Sequence, residues 1–77
     1  MARVYLLIKT DSGMENKVYE ALKKLNYVKS VDIVTGPFDV IAVFEADSLG
    51  KIEDYILNNV RKTEGIRETT TLIALTA

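Results

Sequence analysis

Two runs in this chain, Val4-Tyr5-Leu6-Leu7-Ile8 and Val40-Ile41-Ala42-Val43-Phe44, are apolar at every position. A strand points successive side chains to opposite faces, so a sheet with one wet face alternates apolar with polar residues, and these two runs do not alternate. Any sheet built from them needs cover on both sides. The chain has 77 residues and no cysteine to supply a disulfide staple. A lone domain of this size buries only about 60% of the surface its unfolded form exposes. Self-association is the obvious remaining source of burial.

Arg3 to Lys9 reads as a first strand, and Thr10-Asp11-Ser12-Gly13 as a turn carrying helix-capping residues. Val18, Ala21, Leu22 and Leu25 then recur at helical spacing, which predicts an amphipathic helix from Met14 to Leu25. Val28 to Val34 and Asp39 to Glu45 read as the second and third strands. Asp47-Ser48 is a second capping signal, and Ile52, Tyr55, Ile56 and Val60 draw the apolar stripe of a helix over about Leu49 to Lys62. Gly65 marks its exit, and the Thr-, Ile- and Leu-rich run from Ile66 to Thr76 predicts a fourth strand.

The order βαββαβ predicts an α+β, ferredoxin-like sandwich: a four-stranded antiparallel sheet, strands one and three central, both helices on one face. If Phe44 lies beneath the helices, Ile41 and Val43 face outward and form a patch that a second copy is expected to cover. A standard sheet-on-sheet interface would bury on the order of 1,200–2,000 Å² in total.

A formal charge of −1 with scattered Lys and Arg offers no clustered basic face for a phosphate backbone, so direct nucleic-acid binding is not expected. Histidine and cysteine are both absent, which removes Ser-His and Cys-His catalysis and imidazole or thiolate metal sites. The carboxylate pairs Glu45 with Asp47 and Glu53 with Asp54 read as solvated charge. No metal, no cofactor and no enzymatic activity are therefore expected. The N-terminus has one positive charge and a short apolar run, neither a signal peptide nor a membrane span, which predicts a cytoplasmic chain without membrane contact.

Thr35-Gly36-Pro37-Phe38-Asp39 stands apart as a candidate site. The Gly-Pro pair predicts a tight reversal between strands two and three. Asp39 has two readings: it holds the amides of the turn, or it accepts a ligand's ammonium while amides around Gly36 to Phe38 take the same ligand's carboxylate. Strand parity places Asp39 with Ile41 and Val43, at the edge of the expected interface. Thr69 and Thr71 project on one face of strand four and could complete the polar half of a pocket, although Thr also suits strands for its β-propensity alone. Tyr5, Tyr19, Tyr27 and Tyr55 read as packing residues.

The element order, the Thr35–Asp39 hairpin and the Thr-rich last strand together resemble the effector-binding (RAM) domain of Lrp/AsnC transcriptional regulators. The likeness runs from Val4 to Leu75, and the family's Gly-x-aromatic-Asp motif falls on Gly36, Pro37, Phe38 and Asp39. It implies pairing through the sheets, further assembly of dimers into octamers or similar rings, and binding of small effectors, chiefly amino acids, between dimers near this hairpin. Full-length regulators carry a helix-turn-helix domain ahead of this unit, whereas here the first strand begins at residue 3. The resemblance thus implies a single stand-alone domain over 1–77, sensing an amino-acid effector as a homo-oligomer or modulating full-length Lrp/AsnC regulators. The competing readings are a small dimeric ferredoxin-like enzyme of monooxygenase or isomerase type and a ligand-free assembly module.

Overall fold

The computed structural model describes all residues from 1 to 77. Strands β1 (Ala2–Thr10), β2 (Val28–Ile33), β3 (Val40–Ala46) and β4 (Ile66–Ile73) form one sheet in the order β2-β3-β1-β4, every neighbouring pair antiparallel. Helix α1 (Glu15–Lys23) connects β1 to β2, and α2 (Leu49–Tyr55) continues through a π turn (Ile56–Val60) towards β4. The ferredoxin-like expectation holds, with β1 and β3 central as the right-handed crossovers require.

Residues directly opposite on antiparallel strands share a face. Val4 faces Phe44, Leu6 faces Ala42 and Ile8 faces Val40, and all six have no exposed surface. They meet Val18 and Leu22 from α1 and Ile52, Ile56 and Val60 from the second helical segment, which makes the core. The other face carries Tyr5 between Val43 and Leu72, and Leu7 between Ile41 and Thr70. Nothing in the chain covers it: Tyr5, Leu7, Ile41 and Val43 are only half-buried, and Leu72 is 49% exposed. The parity reading of Phe44 inward and Ile41 and Val43 outward is therefore correct.

Several local expectations are revised. No side chain of the Thr10–Gly13 turn caps α1, whose N-cap is Met14; the Met14 amide instead donates to the Asp11 carbonyl at 3.0 Å. Backbone closure has taken the place of the side-chain cap. Ser48 does cap α2, accepting from the Lys51 amide at 3.3 Å. The second helix is not uniform, since the Arg61 amide reaches the Ile56 carbonyl, five residues back, at 3.1 Å. Its buried residues Ile52, Ile56 and Val60 are spaced by four. In an α-helix each such step overshoots a full turn by about 40°, whereas the wider π turn takes more residues per turn and returns Val60 to the sheet. Finally, β4 ends at Ile73, short of Thr76.

Gly65 shows why the chain can re-enter the sheet where it does. Its φ is +97°, and a Cβ there would stand 3.0 Å from Met14 and 3.1 Å from Val18. Only glycine fits both the backbone and the contact.

Candidate functional site

The hairpin tip is wider than a Gly-Pro reversal. Residues 34–39 separate Ile33 from Val40, and the loop is closed by the Val34 amide donating to the Asp39 carbonyl at 2.9 Å. Gly36 has φ +117°, a value L side chains rarely adopt, and lies in open space. Thr35, Gly36 and Pro37 are exposed, while Phe38 is half-buried with the Lys9 ammonium 5.7 Å from its ring centroid.

Asp39 lies in the loop, one residue before β3 begins. Its Oδ2 accepts from the Thr10 amide at 2.9 Å and from the Thr10 hydroxyl at 3.4 Å, and its own amide donates to the Ile8 carbonyl at 2.9 Å. The carboxylate ties the hairpin to the end of β1, where Thr10 is buried. The tight turn is not realised, and the extended strand starts one residue later than expected, at Val40. Oδ1 has no hydrogen bond within the chain, so one acceptor oxygen remains on a half-buried residue. Thr10 was invisible as a partner: it lies 29 residues from Asp39 and only the β1–β3 pairing brings the two together.

Thr69 and Thr71 lie elsewhere. They stand opposite Ile8 and Leu6, on the helix side of the sheet, in its outer strand. With Glu53, Ile56, Leu57, Arg61 and Ile73 they line a groove of about 390 Å³. The hairpin contributes nothing to that groove, since β1 runs between them. The sequence had grouped the two sets as halves of one pocket, and within a single chain they are separate.

The open sheet face ends in an ion cluster. Arg3 Nε donates to Glu45 Oε2 at 2.7 Å, Lys29 Nζ lies 3.8 Å from Glu45 Oε1, and an Arg3 Nη1 approaches the Tyr5 hydroxyl at 3.5 Å. The Arg3 hydrogen bond holds the Glu45 carboxyl below its ordinary value of 4.5 against the opposing effect of desolvation. Glu45 is thus held as an anion by its partners.

These arrangements offer hydrogen-bond donors, acceptors and apolar walls. Residues 3–77 fit the family described as the Lrp/AsnC ligand binding domain. The chain belongs to that family.

Among Lrp/AsnC relatives, an uncharacterized HTH-type transcriptional regulator of Pyrococcus furiosus is 31% identical over 68 residues, covering 88% of this chain and 46% of the relative. The chain spans less than half the length of the curated relatives it matches. The crystal structure of a hypothetical protein from Pyrococcus horikoshii superposes with a TM-score of 0.91 at 33% identity, covering 97% of this chain and 90% of the other. A transcriptional regulator of Neisseria meningitidis, solved as a complex with L-Met, shares the fold with a TM-score of 0.83 at 12% identity, covering 96% of this chain and 49% of the other.

Proposed function

We propose that this Lrp/AsnC ligand-binding domain is a homo-oligomeric sensor of a small amino acid that serves transcription regulation by its own assembly or by joining full-length Lrp/AsnC regulators. The observation that carries the reading is the hairpin: an exposed loop, opened by Gly36 and anchored by Asp39 to buried Thr10, with one carboxylate oxygen still unspent. The Gly36 and Phe38 amides take the effector's carboxylate, with Pro37, which has no N–H, shaping the loop between them and the Thr35 hydroxyl alongside; Asp39 Oδ1 takes the ammonium. Lys9 over Phe38 adds a cation on the carboxylate side. The complex of L-Met with a regulator of the same fold supports the choice of ligand class.

The apolar patch of Tyr5, Leu7, Ile41, Val43 and Leu72 supports pairing of two sheets, because soluble monomers rarely expose contiguous apolar surface of this kind. In such an assembly Thr69 and Thr71 join the site only from a neighbouring subunit. Effectors of this size bind with about −4 to −8 kcal/mol, or roughly millimolar to micromolar affinity.

Scanning fluorimetry against the common amino acids, read beside sedimentation velocity, tests ligand and assembly together, because a ligand of the native state raises the melting temperature. Replacing Asp39→Asn is expected to weaken binding by about 1.5–3 kcal/mol, the worth of a charge-assisted hydrogen bond. Unchanged affinity by calorimetry removes Asp39 from the site, and no thermal shift with any amino acid leaves an assembly module in place of a sensor.

A further inference from the structure

The groove between the second helical segment and β4 carries chemistry that the hairpin does not use. Glu53, Leu57 and Arg61 recur at intervals of four along its helical wall, and the π turn keeps them in line as it does Ile52, Ile56 and Val60 on the buried side. Without it, Arg61 would rotate away from the groove. Glu53 and Arg61 form no ion pair or side-chain hydrogen bond with any residue, and the hydroxyls of Thr69 and Thr71 have no partner either. Between the two unpaired charges lie Ile56, Leu57 and Ile73, the last two 57% and 46% exposed. The volume of about 390 Å³ falls at the low end of small-molecule sites, which run to about 1,000 Å³.

We propose that this groove binds an elongated zwitterion, an ω-amino carboxylate laid along the helix with its carboxylate on Arg61, its ammonium on Glu53 and its methylenes on Leu57 and Ile73. The spacing selects this class. Glu53 and Arg61 are eight residues apart, at most about 12 Å along the axis at 1.5 Å per residue. An α-amino acid has both charges on one carbon and cannot reach both ends without leaving the apolar floor. A chain of several methylenes meets both charges and the floor at once, and the threonine hydroxyls on the β4 side accept from the ammonium or donate to the carboxylate. This site shares Thr69 and Thr71 with the hairpin reading, but its charged anchors Glu53 and Arg61 belong to the groove alone, and the hairpin reading concerns an α-zwitterion.

Two isomers of one composition separate the cases: 6-aminohexanoate, with charges at its ends, and L-norleucine, with both at one end. The full chain, labelled with nitrogen-15, is titrated with each, with hexanoate and hexylamine as single-charge controls. The expected result is that 6-aminohexanoate perturbs the amides of Leu57, Arg61, Thr69 and Thr71 with at least threefold higher affinity than norleucine or either control. Arg61→Gln and Glu53→Gln, both at exposed positions and checked for an unchanged circular dichroism spectrum, each weaken that response at least threefold, and Asp39→Asn does not.

Preference below threefold, insensitivity to both substitutions, or perturbation by 6-aminohexanoate confined to 35–39 or absent overturns the proposal. A norleucine response at 35–39 with no groove response to 6-aminohexanoate refutes the groove alone. A groove response to 6-aminohexanoate in a chain that shows no shift with any common amino acid supports the groove and refutes the hairpin reading alone.

Discussion

The two faces of this sheet are built from the same kinds of residue and have opposite fates. Val4, Leu6, Ile8, Val40, Ala42 and Phe44 are completely buried, whereas Tyr5, Leu7, Ile41 and Val43, one position along the same strands, are not. The difference lies in what is laid on top. One face receives Val18 and Leu22 of α1 with Ile52, Ile56 and Val60 of the second helical segment, and the other receives nothing from its own chain. An apolar side chain is a stability element on the first face; on the second, under the proposed pairing of sheets, it is an association element.

The strongest way to break that contrast is at its centre. Phe44→Ala, on the covered face, is expected to cost about 3–5 kcal/mol in urea denaturation, because it removes the largest fully buried side chain and leaves a cavity. A cost below about 1 kcal/mol would mean that the helices do not seal this face. The neighbouring substitution Val43→Lys is expected to change the stability of the single fold by less than about 1 kcal/mol, as substitutions outside the core do. Its effect belongs to assembly: sedimentation velocity at micromolar concentration should show the monomer mass in place of the oligomer. If an oligomer persists, the subunits meet elsewhere.

The smallest effect sharpens the rim of the open face. Glu45 has a lowered pKa in the folded chain through its hydrogen bond from Arg3. A group of this kind contributes stability above its unfolded value, and that contribution is lost as pH falls from the ordinary carboxylate range through the lower folded value. Urea midpoints measured downward from pH 5 should therefore fall less steeply in Glu45→Gln than in the parent. Identical slopes would show that the Arg3–Glu45 pair makes no net contribution, as many partly exposed pairs do not.

The candidate site was legible in pieces. Gly36 and Pro37 marked the loop, because their backbone restrictions are local properties, but the loop's width was not, since it depends on where the ladder between Ile33 and Val40 stops. Asp39 stood out as a carboxylate beyond the needs of a turn, and its partner Thr10 could not be named before β1 and β3 were paired. Thr69 and Thr71 were recognised as a polar pair; that they lie across β1 from the hairpin follows from β4 being an edge strand. Leu57 and Arg61 escaped notice because helical periodicity selects the buried stripe, and they flank a surface that exists only once β4 lies beside it.

Periodicity, turn residues and β-propensity are properties of neighbouring residues, so the sequence by itself determined the element order, the antiparallel sheet with β1 and β3 at its centre, and the parity that sends Phe44 inward and Ile41 outward. Hydrogen bonds and grooves between residues distant along the chain depend on register and on where a helix changes pitch. The anchoring of Asp39, the separation of the threonines from the hairpin and the alignment of Glu53 with Arg61 were therefore decided only by the tertiary structure.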